Sequence, residues 1–223
     1  MKDGTERYLE TVAYIGKAYN FLNEKLFYGE LKKPVITVQR DERTKTNGWW
    51  SVNKVWKWKE SADEKAYPEE KEEHELNLTA SGLNRPVKEI FATLLHEMCH
   101  QYAGIRNLQD CSRSGQYHNK IFKRIAETHG LKCECVAKIG WSQTELNEET
   151  EKLVESFLTD NPADMIYRLP VSHGQLVKSS STRKYVCPVC GNSCRATKQI
   201  NLICADCNEP MTEENCHEKI SDL

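Results

Sequence analysis

A chain of 223 residues with a formal charge of −2, 39% hydrophobic and 29% charged, has room for one ordinary domain and a small appendage. That composition excludes a disordered or fibrous chain. No run nears the roughly 18 apolar residues of a membrane span, and the opening residues Met1-Lys2-Asp3-Gly4-Thr5-Glu6-Arg7 lack a secretory pattern. Ten cysteines, four of them in two Cys-x-x-Cys pairs, then predict metal binding and a reducing cytoplasm rather than disulfides.

Residues 8–28 carry Leu9, Val12, Ile15, Tyr19, Leu22 and Leu26 at helical spacing and stop at Gly29, predicting an opening helix. The β-branched stretch Pro34–Val38, the alternating segment Trp49–Trp58 and residues His74–Thr79 predict strands. Residues 60–75 hold eight acidic side chains against two basic ones, with Pro68 inside, and predict a solvated hairpin connection. Asn84 and Pro86 open a helix with Ile90, Phe91, Leu94, Leu95, Met98 and Tyr102 on one face and Gly104 as its stop. Further helices are predicted over His118–His129, ending at Gly130, and over Thr144–Leu158. A strand cluster between helices is the pattern of an α+β fold. The boundaries read as a domain over 1–159, a Pro- and Ser-containing linker over 160–183, and a small module with an acidic tail over 184–223.

His96-Glu97-Met98-Cys99-His100 is an H-E-x-x-H motif. On a helix its histidines stand one turn apart, nearly opposite the apolar stripe, able to hold one zinc ion. In that chemistry Glu97 is the general base toward the zinc-activated water, and the metal polarises the scissile carbonyl. A catalytic site needs a third ligand. The metzincin position holds Arg106, which excludes that class, while His118 is best placed and Glu127 is the runner-up. His129, next to Gly130, reads as a helix C-terminal residue.

Asn23-Glu24-Lys25, Gly29-Glu30-Leu31, Gly48-Trp49-Trp50, the H-E-M-C-H helix and Tyr117-His118-Asn119-Lys120-Ile121-Phe122 together resemble the SprT-like metalloproteases, a family that includes the Spartan proteases of DNA–protein crosslink repair. The resemblance covers roughly residues 8–158 and the cysteine module after them, which looks like the ribbon of bacterial- and phage-type members and so implies an intracellular protein of that type. It implies a zincin-like domain with the H-E-x-x-H helix central, His96, His100 and His118 as ligands of a catalytic zinc, Glu97 as catalytic base, and a following zinc ribbon. The loop from Gly104 to Tyr117 differs in length from that of the eukaryotic relatives, and their C-terminal partner-binding tails have no counterpart here.

Cys187-Pro188-Val189-Cys190 and Cys204-Ala205-Asp206-Cys207 form two knuckles separated by 13 residues, the spacing of a four-thiolate zinc ribbon. That closed site leaves no position for substrate, so its zinc is expected to be structural. Cys99, Cys111, Cys133 and Cys135 follow no metal pattern, and Cys194 and Cys216 are off-spacing. From Met165 to Ala205 no acidic residue occurs, while Arg168, Lys178, Arg183, Lys184, Arg195 and Lys198 are basic. Arg183, Lys184, Arg195 and Lys198 are thus candidates for contact with single-stranded or damaged DNA. The Trp49–Lys59 segment mixes aromatics and lysines that suit either base stacking or strand packing. The resulting expectation is a cytosolic zinc metalloendopeptidase acting on DNA-bound proteins, with substrate extended along His74–Thr79. The rival expectations are a catalytically silent DNA-binding adaptor, and a protease whose ribbon binds a protein partner.

Overall fold

The computed structural model describes residues 2–39, 46–59, 70–169 and 182–213. The acidic run 60–69, Lys178 with the serines 179–181, and the tail holding Cys216 lie outside the described residues. The chain divides into two compact units, Met1–Pro170 and Val171–Leu223. Among the described residues, four α-helices combine with several small sheets. Among the described residues, no helix is long and apolar enough to cross a membrane.

In the first unit, helix α1 spans Gly4–Leu26. It starts earlier than its apolar stripe because Asp3 caps it, accepting from the Thr5 and Glu6 backbones while Glu6 bonds back to the Asp3 N–H. After Phe27 the chain reverses through Tyr28 and Gly29, both at positive φ, and the Asn23 carboxamide holds the returning strand by both backbone groups of Leu31. The Asn23 to Gly29 signature is therefore a turn lock.

Strands β1 (Val35–Gln39), β2 (Gly48–Trp50), β3 (Trp56–Lys59), β4 (Glu70–Glu73) and β5 (Glu75–Thr79) follow. The expected Trp49–Trp58 strand is thus two short strands with residues 51–55 between them. β5 lies in the middle of a three-stranded sheet, parallel to β1 and antiparallel to β2. β3 pairs with β4, making residues 70–73 strand rather than loop. Leu76 and Leu78 point from β5 into the core, while Glu75, Asn77 and Thr79 occupy the opposite, equally buried face. There the Glu75 carboxylate receives N–H groups from Trp49 at 2.9 Å, Gln39 at 3.0 Å and Trp56 at 3.2 Å. Its charge is satisfied by donors from three strands, the condition for burying a carboxylate.

Helix α2 (Val87–Ile105) is buried around most of its circumference, including Glu97 and Gln101. The one-sided stripe expected of a surface helix is widened because α2 touches α1, α3, α4 and strands of both larger sheets. Strands β6 (Cys111–Ser112) and β7 (Tyr117–His118), helix α3 (Lys120–Thr128), strands β8 (Leu131–Val136) and β9 (Gly140–Leu146), and helix α4 (Glu148–Asp160) complete the unit. The second sheet has the order β6-β7-β9-β8. Two helix expectations shift here. His118 is the last residue of β7, with Asn119 capping α3, and residues 144–146 belong to β9, with Asn147 capping α4. The segment 161–169, read from composition as linker, lies against the first unit: Ile166 N–H bonds Thr11 and Arg168 N–H bonds the Ala80 carbonyl.

The second unit holds β10 (Arg183–Val186), β11 (Ser193–Ala196), β12 (Ile203–Cys204), β13 (Glu209–Pro210) and β14 (Thr212–Glu213). Its apolar interior is small, centred on Tyr185, whose hydroxyl accepts from the Ile200 N–H.

Gly140 sits at φ +72°, and a Cβ there would lie 2.1 Å from the His118 carbonyl oxygen. Gly140→Ala is expected to lower the unfolding free energy by about 1–3 kcal/mol, read as a falling urea midpoint. Gly4→Ala, whose Cβ meets nothing within 4 Å, is the control and leaves the midpoint unchanged or raised.

Candidate functional site

α2 brings His96 and His100 to one side, and β7, hydrogen-bonded to β6 and β9, brings His118 across to them. Their three Nε2 atoms form a triangle with every side 3.1 Å. A triangle of that size has its corners equidistant from a point about 2 Å away, the length of a zinc–imidazole bond. The other ring nitrogens determine what those Nε2 atoms can do. His96 Nδ1 is 3.0 Å from Thr144 Oγ1, and His100 Nδ1 is 2.6 Å from Asp110 Oδ2. A ring that gives its Nδ1 proton to such a partner presents a lone pair at Nε2, and converging lone pairs require a cation. The donor set therefore fits a divalent ion such as zinc.

Electrostatics agree with this arrangement. Burial, then the neighbouring His100 and His118 charges, push the His96 pKa well down. Burial likewise lowers His118 to about 4. Burial also opposes charge on His100, but its hydrogen bond to Asp110 overrides it and raises that ring to about 10. In the absence of metal, His100 is the ring that holds the extra proton. His118 Nδ1 is buried and has no hydrogen-bond partner among the described residues.

Glu97 projects beside this cluster, against β2. A Cβ on Gly48 would lie 3.2 Å from Glu97 Cγ and Oε1 and 2.8 Å from the Asn77 carbonyl oxygen, so the bare glycine leaves the space the carboxylate uses. Burial, offset by His100 and reinforced by Asp110, raises the Glu97 pKa to about 7. Among the described residues its carboxylate makes no hydrogen bond or ion pair, in contrast to the equally buried Glu75. A largely buried carboxyl group with a raised pKa and no protein partner is the usual mark of a reacting site.

Glu127 is paired with Lys123 and stays out of the cluster, and His129 caps α3, its Nδ1 2.8 Å from the Leu26 carbonyl and its ring stacked on Phe27. Thr144 and Asp110 were not singled out from sequence as site residues, and Gly48 entered only within the Gly48-Trp49-Trp50 signature. Asp110, with Cys111 Sγ 4.0 Å from His100 Nδ1, makes another group of potential ligands, but its 2.6 Å contact already joins His100 and Asp110 to each other.

In the second unit, Cys187, Cys190, Cys204 and Cys207 place their sulfurs within 4.8 Å of one another. Cys190 and Cys204 are 3.7 Å apart, close to the edge of a zinc–thiolate tetrahedron. Each knuckle closes on a left-handed residue, Gly191 or Asn208. The backbone N–H groups of Cys190 and Val189 draw the Cys187 thiol down to about 7, favouring thiolate. Of the basic candidates, Arg183 is paired with Glu213, Lys184 faces Arg195 across β10 and β11, and Arg195 and Lys198 are exposed. In the Trp segment, Trp49 and Trp56 are tied to Glu75 and Trp50 stacks on His74, while Lys57 and Lys59 pair with Glu72 and Glu70.

The model of the SprT-like family matches residues 15–148, more than half of the chain and every residue of the histidine site. The chain belongs to the SprT-like family. No curated protein and no solved structure matches it. Family membership is consistent with a zinc-dependent, protease-like domain, and the cysteine cluster with a ribbon.

A zinc titration against a chelator is expected to fill two classes of site. His118→Ala abolishes one and leaves the other, while Cys207→Ser does the reverse. Loss of both in either variant would contradict two independent sites.

Proposed function

We propose that this SprT-like protein is a zinc-dependent metalloendopeptidase, with a zincin-like arrangement of His96, His100 and His118 as metal ligands and Glu97 as general base. The observation that carries this reading is the unpaired Glu97 carboxylate buried beside three converging imidazole nitrogens. A zinc ion held there would supply Lewis acidity, lowering the pKa of water and polarising a peptide carbonyl. Glu97 takes the proton from the attacking water and returns it to the leaving amide nitrogen. A raised carboxyl pKa suits both halves of that transfer. Gly48 lets the carboxylate approach, and Thr144 and Asp110 fix the ligand rings. A catalytically silent adaptor would bear the cost of burying Glu97 with no return, which argues against it.

The substrate path differs from the sequence expectation. β5 is paired on both sides, so its backbone has no free edge for an extended peptide. β2, alongside Glu97, is the end strand of that sheet among the described residues, and it is the strand we assign to substrate.

The ribbon is proposed to hold a structural zinc and to tether the protease to single-stranded or damaged DNA, placing it near DNA-bound protein. Its support is the exposed pair Arg195 and Lys198 within an acid-free stretch. Arg183 contributes less because Glu213 neutralises it. A second reading, that the ribbon binds a protein, is favoured by Val189 and Ile203, which are 66% and 67% exposed at the two knuckles.

Cleavage of a basic DNA-binding protein, with and without single-stranded DNA, tests the main reading. Glu97→Gln is expected to lose about 100-fold or more of the rate while keeping its zinc. Gly48→Ala, which displaces the base, is expected to lose about 100-fold for a shift of ~1 Å, also with zinc retained. Full activity in Glu97→Gln would overturn the assigned base. For the tether, Arg195→Ala and Lys198→Ala are each expected to reduce the log–log salt slope of DNA binding by about 0.7. An unchanged slope would favour the protein partner.

A further inference from the structure

Resting on the metal-site reading above, the geometry points to Asp110 as a positioning residue that acts through His100, and to the Asn119 carboxamide as the group that holds Asp110 in place. Nothing in the H-E-x-x-H pattern calls for either residue. The structure links them in one short path.

Asp110 Oδ2 is 2.6 Å from His100 Nδ1, and both side chains are about 15% exposed. With Nδ1–H given to the carboxylate, only Nε2 is left to bind a cation, so this contact sets both the tautomer and the rotation of the ring. Asp110 lies in the loop that enters β6. Asn119 constrains that loop. Its Nδ2 donates to the Gln109 carbonyl at 2.7 Å, and its backbone N–H donates to the Asp110 carbonyl at 2.9 Å. The two carbonyls flanking the Asp110 residue are thus held by one residue. The same side chain, through Oδ1, accepts from Ile121 N–H at 2.7 Å and Phe122 N–H at 3.3 Å, anchoring it on the first turn of α3.

Asn119 also follows His118 directly, and Cys111, the neighbour of Asp110, is the β-partner of His118. The β6–β7 hairpin therefore delivers one metal ligand and the carboxylate that orients another, with Asn119 as the clasp. A carboxamide is needed for both tasks. An aspartate at 119 keeps the helix cap but sets an acceptor against the Gln109 carbonyl, and a serine is too short to span the gap.

The experiment measures zinc affinity of the three-histidine site by chelator competition in the full chain, with the cysteine site saturated, for wild type, Asp110→Asn, Asn119→Asp and the double variant. The d–d spectrum of cobalt in the same site is recorded alongside. Each single substitution is expected to weaken binding about 10- to 100-fold and to alter the cobalt spectrum. The double variant is expected to bind no more weakly than the weaker single variant, because both act along one path. Wild-type affinity in Asp110→Asn would overturn the positioning role, even if its thermal stability falls. A double variant whose losses multiply would overturn the clasp. If wild type itself holds no metal at the histidines, the metal-site reading fails, an outcome seen before any variant is compared.

Discussion

Three imidazole nitrogens within 3.1 Å of one another are tolerable only if something positive lies among them, and the first unit is built to impose that proximity. Two of the rings come from successive turns of one helix, which costs little. The third comes from a two-residue strand whose position depends on β6 and β9, and on a glycine at 140 that lets the strands approach. Burial then disfavours protonation of His96 and His118 and leaves the extra proton to His100, beside Asp110.

Two of the buried glutamates of this unit, Glu75 and Glu97, show how environment separates structure from chemistry. Glu75 and Glu97 have almost the same low exposure, yet Glu75 is surrounded by donors from Trp49, Trp56 and Gln39 and ties three strands to one point. Glu97 has no such partners among the described residues, and burial raises its carboxyl pKa to about 7. Gly48 links the two, since β2 carries both the glycine beside Glu97 and the tryptophan bonded to Glu75. The second unit solves a different problem: with little apolar interior, it gathers four sulfurs to close its two knuckles.

Features set by local spacing were legible in the sequence, and those set by long-range register were not. His96 and His100 follow from an i, i+4 pattern on a well-signalled helix, and the cysteine pairs follow from their spacing. The residues left His118 and Glu127 both open as third ligand; the resemblance favoured His118, and the geometry of β7 brings that residue to the pair. Thr144 was misplaced because Thr144 to Glu148 has the look of a helix start, whereas the β8–β9 hairpin carries the strand on to Leu146 and Asn147 takes the cap. Glu75 was counted with a solvated acidic run because its donors come from residues 19 to 36 positions away. Gly48 and Asp110 matter through contacts that no single segment encodes.

The most direct test of this account is anomalous diffraction at the zinc edge from crystals of the full chain grown with zinc. The account predicts a peak about 2 Å from each Nε2 of His96, His100 and His118, with Asp110 still bonded to His100 Nδ1 and Glu97 beside the metal but not bound to it. A peak displaced to Asp110 and Cys111, or none at the three histidines while the cysteine site is filled, would contradict it.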